Sequence, residues 1–239
     1  MKKYLNILFL VLLVTSCSKD DDPVYPNPFA EIPTHSKFVS LIDRGGDNIK
    51  FSYYPNGKVS EIVIGSHTTI GVVYEGEKIK KLSKVSTIYS SYDYEFSYYD
   101  DGTVSGFLVY EIADHSLVMF KPIVYNATTN CYNNFLYFYP DGLIKRVVSG
   151  NLDRTLVYDK TKIGAFINAD QNLITYLLLV DRNVLLWPAY LGKYPCKQIL
   201  NGQSTLEMNS LFDGQNFIIS NNMTPGYGIV PATYTYIQI

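Results

Sequence analysis

One short pattern recurs along this chain, and it leaves room for little besides an antiparallel sheet. Phe51-Ser52-Tyr53-Tyr54-Pro55-Asn56-Gly57-Lys58-Val59 returns as Phe96-Ser97-Tyr98-Tyr99-Asp100-Asp101-Gly102-Thr103-Val104, and again as Leu136-Tyr137-Phe138-Tyr139-Pro140-Asp141-Gly142-Leu143-Ile144. Each copy sets alternating aromatics ahead of Asn-Gly or Asp-Gly, dipeptides that tolerate positive φ at both central positions of a type I′ hairpin turn. The copies therefore read as β-hairpins. Weaker copies centre on Val72-Val73-Tyr74, followed by Gly76 and Ile79, and on Leu156-Val157-Tyr158, followed by Asp159 and Ile163. The pivot aromatics Tyr53, Tyr74, Tyr98, Phe138 and Tyr158 recur at about 20 residues or twice that, the length of two strands and two turns.

The expected fold class is all-β: an antiparallel meander of repeated hairpins, about a dozen strands over residues 37–239, forming a single domain. Alternation puts Phe51 and Tyr53 on one face and Ser52 and Tyr54 on the other, as in a sheet with one buried face. A strongly twisted sheet rarely stays open beyond about ten strands, so the meander should curl into a barrel-like form or fold into two layers. Gly65, Gly71, Gly106 and Gly150 lie in or beside apolar runs, where bends would help that curvature. Near residue 165 the pattern breaks. Ala165 to Leu179 has neither clean alternation nor a turn dipeptide, and Asn168, Asp170 and Asn172 offer caps for a short helix. The apolar stretch Val184 to Leu191 holds Pro188, which interrupts a helix. Residues 165–195 are thus expected to form a helical or irregular plug over the sheet's open end. Strands should resume at Lys197 to Leu200, Phe217 to Ser220 and Thr233 to Ile239.

Ahead of the domain, Lys2 and Lys3 precede an apolar segment, Tyr4 to Val14, that is too short to span a bilayer and leads into Val14-Thr15-Ser16-Cys17. This resembles a bacterial lipoprotein signal. The resemblance implies a signal peptide over 1–16, acylation of Cys17, and a membrane partnership made through lipid at about 0.8 kcal/mol per buried methylene. Residues 17–36, with Asp20, Asp21 and Asp22 and then Pro23, Pro26, Pro28 and Pro33, have the composition of a solvated tether. Acidic residues directly after the cysteine are similar to the surface-export signal of Bacteroidota lipoproteins, but they also simply keep a linker soluble. The implied address is the cell envelope, with a lipid anchor in the outer membrane and either face open.

Three groups of residues carry a second resemblance: the Phe-Ser-Tyr-Tyr and Asn/Asp-Gly copies, the segment Leu185-Leu186-Trp187-Pro188-Ala189-Tyr190-Leu191, and the terminal Ala232-Thr233-Tyr234-Thr235-Tyr236. They resemble the DUF4595 family, Bacteroidota lipoproteins of unknown function. The resemblance covers most of the domain and implies a porin-like fold, and it brings no catalytic residues with it. Aromatic-x-aromatic followed by Asp-Gly is also similar to the YD repeats of large surface and toxin shells. The family's Asn-Pro-Phe triplet precedes its apolar segment, whereas Asn27-Pro28-Phe29 here falls in the tether. An integral outer-membrane barrel would share the alternating, tyrosine-rich strands. A lipid anchor would be redundant for such a barrel, and the terminal Ile239 departs from the aromatic residue that usually ends one.

Charge and chemistry narrow the function classes. The net charge of −2 becomes more negative once Lys2 and Lys3 leave with the signal, and no basic stripe offers a footprint for nucleic acid. Cys131 and Cys196 could pair in an oxidising compartment or serve as buried small side chains, and they lack the spacing of a zinc site. No metal or cofactor motif is present. His35, His67 and His115 neighbour Ser36, Ser66 and Ser116, but adjacent residues on a strand face opposite ways and cannot pair as nucleophile and base. Asp100, Asp101 and Asp141 are turn formers that could also converge as a glycosidase pair.

Tyrosine is the remaining excess, at 22 residues. Tyr89, Tyr92 and Tyr94 cluster at one strand entry, and Trp187 with Tyr190 forms a second cluster. Amphipathic rings suit sugars or partner proteins and equally suit a β core, so both roles stay open. The leading expectation is a non-enzymatic binding lipoprotein for a glycan, peptide or envelope protein. The alternatives are a structural accessory docked on an outer-membrane partner and a hydrolase whose site leaves no motif.

Overall fold

The computed structural model describes residues 37–46, 48–166, 168–169, 172–181, 187–223 and 231–239. The expected signal peptide and tether, with Cys17 and His35, lie outside the described residues, as do Asp170 and Val184 to Leu186 of the expected plug. Eight strands come first: β1 (Phe38–Asp43), β2 (Ile49–Tyr53), β3 (Val59–Ile64), β4 (Thr68–Glu75), β5 (Lys78–Ser86), β6 (Tyr92–Tyr98), β7 (Val104–Glu111) and β8 (Leu117–Pro122). Three short strands follow, β9 (Tyr125–Asn126), β10 (Cys131–Tyr132) and β11 (Leu136–Phe138), and then β12 (Ile144–Ser149) and β13 (Leu152–Tyr158). Two helices, α1 (Asn172–Val180) and α2 (Trp187–Tyr190), precede β14 (Cys196–Asn201), β15 (Ser204–Phe212), β16 (Ile218–Met223) and β17 (Ala232–Ile237).

All 17 strands belong to one antiparallel sheet, which is all-β and barrel-like as expected but longer than a dozen strands. Neighbours in sequence pair from β1 to β8 and from β9 to β17. The first strand then pairs with the last, from Phe38 opposite Ile237 to Asp43 opposite Thr233. No ladder joins β8 to β9 among the described residues, so the curled sheet keeps an open seam there.

The three strong copies do form hairpins, through a different turn from the one expected. Gly57 donates its N–H to the Tyr54 carbonyl at 2.9 Å, and Tyr54 donates to Lys58 at 2.8 Å. Only the glycine takes a positive φ, 81° at Gly57, 86° at Gly102 and 81° at Gly142. This is a type I turn closed by a left-handed glycine, the three-residue loop that ends in a bulge, and it replaces the expected type I′ turn. The ladder slips accordingly at Ser52/Tyr53, Ser97/Tyr98 and Tyr137/Phe138. The preceding Asn or Asp serves the turn through its side chain: Asn56 accepts the Lys58 N–H at 3.2 Å and Asp101 the Thr103 N–H at 2.8 Å. A fourth copy escaped the sequence pattern. At Asp213 to Phe217 the left-handed position is filled by Asn216, φ 65°, whose N–H donates to Asp213 at 3.0 Å. Because the strands alternate in direction, all four bulged turns lie at one end of the barrel, here the lower end.

The tyrosines brace that end. Tyr53 donates its hydroxyl to the Val39 carbonyl at 2.7 Å, Tyr236 to Ile218 at 2.8 Å, and Tyr98 to Ile79, each on the preceding strand. Tyr54 and Tyr139, which open their turns, reach two strands on to Val72 at 2.9 Å and Leu156 at 2.8 Å. Each ring covers the core margin while its tip satisfies a main-chain acceptor near a strand end, as a half-buried tyrosine should.

The interior is filled. Leu173 to Leu179 of α1 are all buried, the signature of a helix enclosed on every side. Tyr176 meets Phe96 edge-on at 5.0 Å, Phe166 meets Phe51 at 5.2 Å, and Asp181 just past α1 pairs with Lys84 of β5 at 2.5 Å. The described part of the plug is therefore helical at Asn172–Val180 and Trp187–Tyr190 and runs inside the sheet, so the interior is packed among the described residues. Because Val184 to Leu186 lie outside the described residues, Pro188 is seen only with Trp187 and the residues that follow it. It sits in the single turn of α2, where its missing N–H would have had no partner in any case.

Outside, Lys50, Ser52, Lys80, Ser97, Lys145, Lys197, Glu207 and Asn209 face water. A lysine or arginine on the outer face of a membrane barrel costs about 2–4 kcal/mol at mid-bilayer, so this exterior suits an aqueous compartment and not a lipid-facing band. The ladder slips directly beside Gly106 in β7, where Ser97 faces Gly106 and Tyr98 faces Val104. An added Cβ there would lie 2.9 Å from the Phe120 ring and from the Lys121 carbonyl, so glycine is what lets β8 lie close.

Candidate functional site

The lower end of the barrel opens into a mouth. Turns Glu77-Lys78, Asp101 to Val104 and Tyr139 to Gly142, the β9–β11 segment and the first turn of α1 enclose a cavity of about 540 Å³. Its walls carry Tyr125, Tyr132, Phe138, Tyr139 and Tyr176. A smaller cavity of about 190 Å³ shares Gly142 and Asn172 with it and extends to Pro188 and Lys193.

The wall is held in place by its own hydrogen bonds. Tyr125 donates to the Asn130 side-chain oxygen at 2.7 Å, and the Asn130 amide donates to the Tyr139 carbonyl at 3.2 Å. Asn130 sits at φ 48°, in the left-handed region that asparagine tolerates. The Tyr125 and Tyr132 rings lie 5.0 Å apart, and Tyr132 meets Phe138 edge-on at 5.8 Å. Tyr132 accepts the Val104 N–H at 3.3 Å. Burial raises the Tyr132 and Tyr139 hydroxyls above the usual phenol range, so both stay neutral donors. The Asp101 carboxylate is held low by the Thr103 hydroxyl at 2.7 Å and by the Thr103 N–H.

Rings standing beside fixed amide, hydroxyl and carboxylate groups can stack on a sugar and bond its hydroxyls. The proton donor of a glycosidase needs a raised carboxyl pKa, and Asp101 is shifted the other way. No group of three or more metal-ligating side chains occurs among the described residues.

The residues expected to bind do not gather at this mouth. Tyr89 is 69% exposed in the β5–β6 connection, while Tyr92 is half-buried and Tyr94 is buried, with its ring 5.9 Å from Phe107. Trp187 and Tyr190 are buried in α2, where the Arg44 guanidinium lies 5.0 Å from the Tyr190 ring. Of the five, only Tyr89 faces solvent fully. Cys131 and Cys196 are separate buried thiols, and burial pushes Cys196 up to about 12. His67 contacts the Thr68 hydroxyl at 2.9 Å, and His115 stacks on Tyr110 at 4.6 Å. The mouth residues that sequence reasoning missed are Tyr125, Asn130, Tyr132 and Tyr176. The first three stand in a segment dense in asparagine, where Asn130, Asn133 and Asn134 all take positive φ.

No family model matches the chain, so the resemblance to DUF4595 rests on the residues quoted for it. No curated protein matches it either. Among solved structures, a porin-like protein from Bacteroides uniformis is 14% identical, with 84% of this chain and 97% of that one covered and a TM-score of 0.38. A porin-like protein from Bacteroides vulgatus is 13% identical, with 84% and 98% covered and a TM-score of 0.39.

Proposed function

We propose that this chain is a Bacteroidota cell-envelope lipoprotein of the DUF4595 kind, anchored through Cys17, whose lower mouth binds an oligosaccharide without transforming it. One observation carries the binding reading: Tyr125 and Tyr132 stand side by side around an Asn130 whose position is already fixed from both sides. Rings and polar groups held before the ligand arrives lose little freedom on binding, which is what an adsorbing site requires. The anchor reading draws on the residues around Cys17 and on the polar exterior of the barrel, which suits a domain held beside a membrane.

The test is titration of the full chain with a panel of oligosaccharides. Binding should fall by at least about ten-fold in Tyr132→Ala, the loss of one stacking ring, and persist in Tyr89→Ala. A panel without a binder, or equal binding by both variants, overturns the reading. Acylation is tested separately by labelled fatty acid, which should enter the chain and be absent from Cys17→Ser. A docking accessory is the second reading, favoured by the exposed apolar strand β8.

A further inference from the structure

We propose that the mouth takes an oligosaccharide end-on, holding the terminal ring of the chain and not a stretch from its middle; this rests on the binding reading above and deepens it. The cavity is stopped on its inner side. Asn172, Thr175 and Tyr176 line it there, spaced so that they share one face of α1. Behind them Leu173, Leu177 and Leu178 are buried. The Tyr176 ring extends this floor sideways, 5.0 Å from Phe96 and 6.3 Å from Tyr98.

The open seam does not breach the wall. Where β8 passes into β9, Ile123 donates its N–H to the Ser105 carbonyl at 2.9 Å and Asn133 donates to the Val124 carbonyl at 2.9 Å, so the chain itself bridges the gap at this level. A saccharide bound through its middle needs a groove that it can enter and leave. A concave cavity stopped by a helix admits a chain by its end.

Polarity changes along the same axis. At the open end stand Lys78 and Asp101, both exposed. Asp101 spends Oδ1 on Thr103 and leaves Oδ2 unengaged, while the Lys78 ammonium lies 4.9 Å from the Tyr98 ring with no ion pair among the described residues. This donor and acceptor suit the hydroxyls of a chain as it leaves the mouth. Farther in come the tyrosine rings, and Tyr132, which accepts the Val104 N–H, keeps its own proton to give. One turn inside Asn172 is the Thr175 hydroxyl. The residue is 9% exposed and makes no hydrogen bond among the described residues, although a helical threonine commonly bonds back to the preceding turn. Buried polar groups ordinarily have partners, and a sugar ring stacked beside Tyr132 brings hydroxyls that supply them here.

The test titrates the full chain with gluco-, xylo- and manno-oligosaccharides of two to eight rings and reads affinity and stoichiometry by calorimetry. In a series that binds, one protein per saccharide chain should hold at every length, and affinity should level off once the rings inside the mouth and at its rim are in place. Thr175→Val keeps the branched shape and removes the hydroxyl. It should weaken binding about five-fold at every length, the effect of one hydrogen bond, without lowering the melting temperature, because that hydroxyl has no bond to lose in the free protein. More than one protein on the longer chains, or unchanged binding by Thr175→Val, overturns end-on binding and leaves the mouth reading in place. No binder in any series, or binding that Tyr132→Ala does not weaken, overturns both.

Discussion

The hydroxyl of Tyr158 donates to the main-chain carbonyl of Ile144 at 2.9 Å, linking the last residue of β13 to the first of β12. The same kind of bond ties Tyr53 to Val39 and Tyr236 to Ile218. Removing the hydroxyl leaves a sheltered carbonyl without its donor. Tyr158→Phe should therefore lower stability by about 1 kcal/mol, and Tyr89→Phe, at an exposed ring with no such bond, should leave the urea midpoint where it was. Equal midpoints for the two variants would show that the tyrosine tips are idle.

Asn216 fills a position where the other three bulged turns place glycine. A side chain in the left-handed region is strained, and asparagine is less so than most. Asn216→Gly should gain about 0.5 kcal/mol, and Gly142→Val should lose about 1–2 kcal/mol, both read from thermal melts. A loss in the first variant would mean that the Lys162 bond to the Asn216 side chain, at 2.9 Å, outweighs backbone strain.

Alkaline pH should unfold the domain early. Burial pushes both Cys196 and Tyr94 up to about 12, and Tyr53, Tyr234 and Tyr236 are also raised. Groups raised in the folded state hold their full stabilisation below their unfolded values, 9.0 for the thiol and 10.0 for tyrosine. They lose it as pH climbs toward the folded values. The fully buried Cys196 alone contributes a slope of about 1.4 kcal/mol per pH unit across pH 9 to 12. Denaturant melts at stepped pH would read the slope, which Cys196→Ala should reduce.

The enclosed helix should be indispensable to the sheet. Leu177 is 1% exposed in the middle of α1. Leu177→Ala should cost about 2–5 kcal/mol, because the deletion leaves a cavity that surrounding strands cannot collapse to fill. A smaller loss, seen by chemical denaturation, would show that the sheet holds its curvature without the helix.

The hairpins were legible because each depends on residues within one short window, Tyr54 to Lys58 for example. The turn type was not, since Asn-Gly serves both type I′ and the bulged loop, and only the ladder slip at Ser52/Tyr53 separates them. Strand β15 was missed although Asn201-Gly202 opens it, and its far turn was hidden by Asn216 standing in for glycine. The helix at 172–180 was read correctly from its broken alternation. Long-range roles left no trace in sequence: Tyr94, Trp187 and Tyr190 suit a binding face or a core equally until register and the path of α1 place them inside. Tyr125, Asn130 and Tyr132 form the mouth only because β9, β10 and β11 fold back on one another.

Pairing of β1 with β17 carries a consequence for how the domain is made. A chain that emerges N-terminus first delivers β1 early and its partner last, so one side of β1 stays unpaired until the final strand arrives. Loop closure over nearly the full domain is slow, and an open strand is meanwhile a template for wrong partners. The same seam brings the two ends of the domain together, so a linker placed there and a new opening cut at an exposed turn such as Gly150-Asn151 would give a rearranged chain the same neighbours throughout.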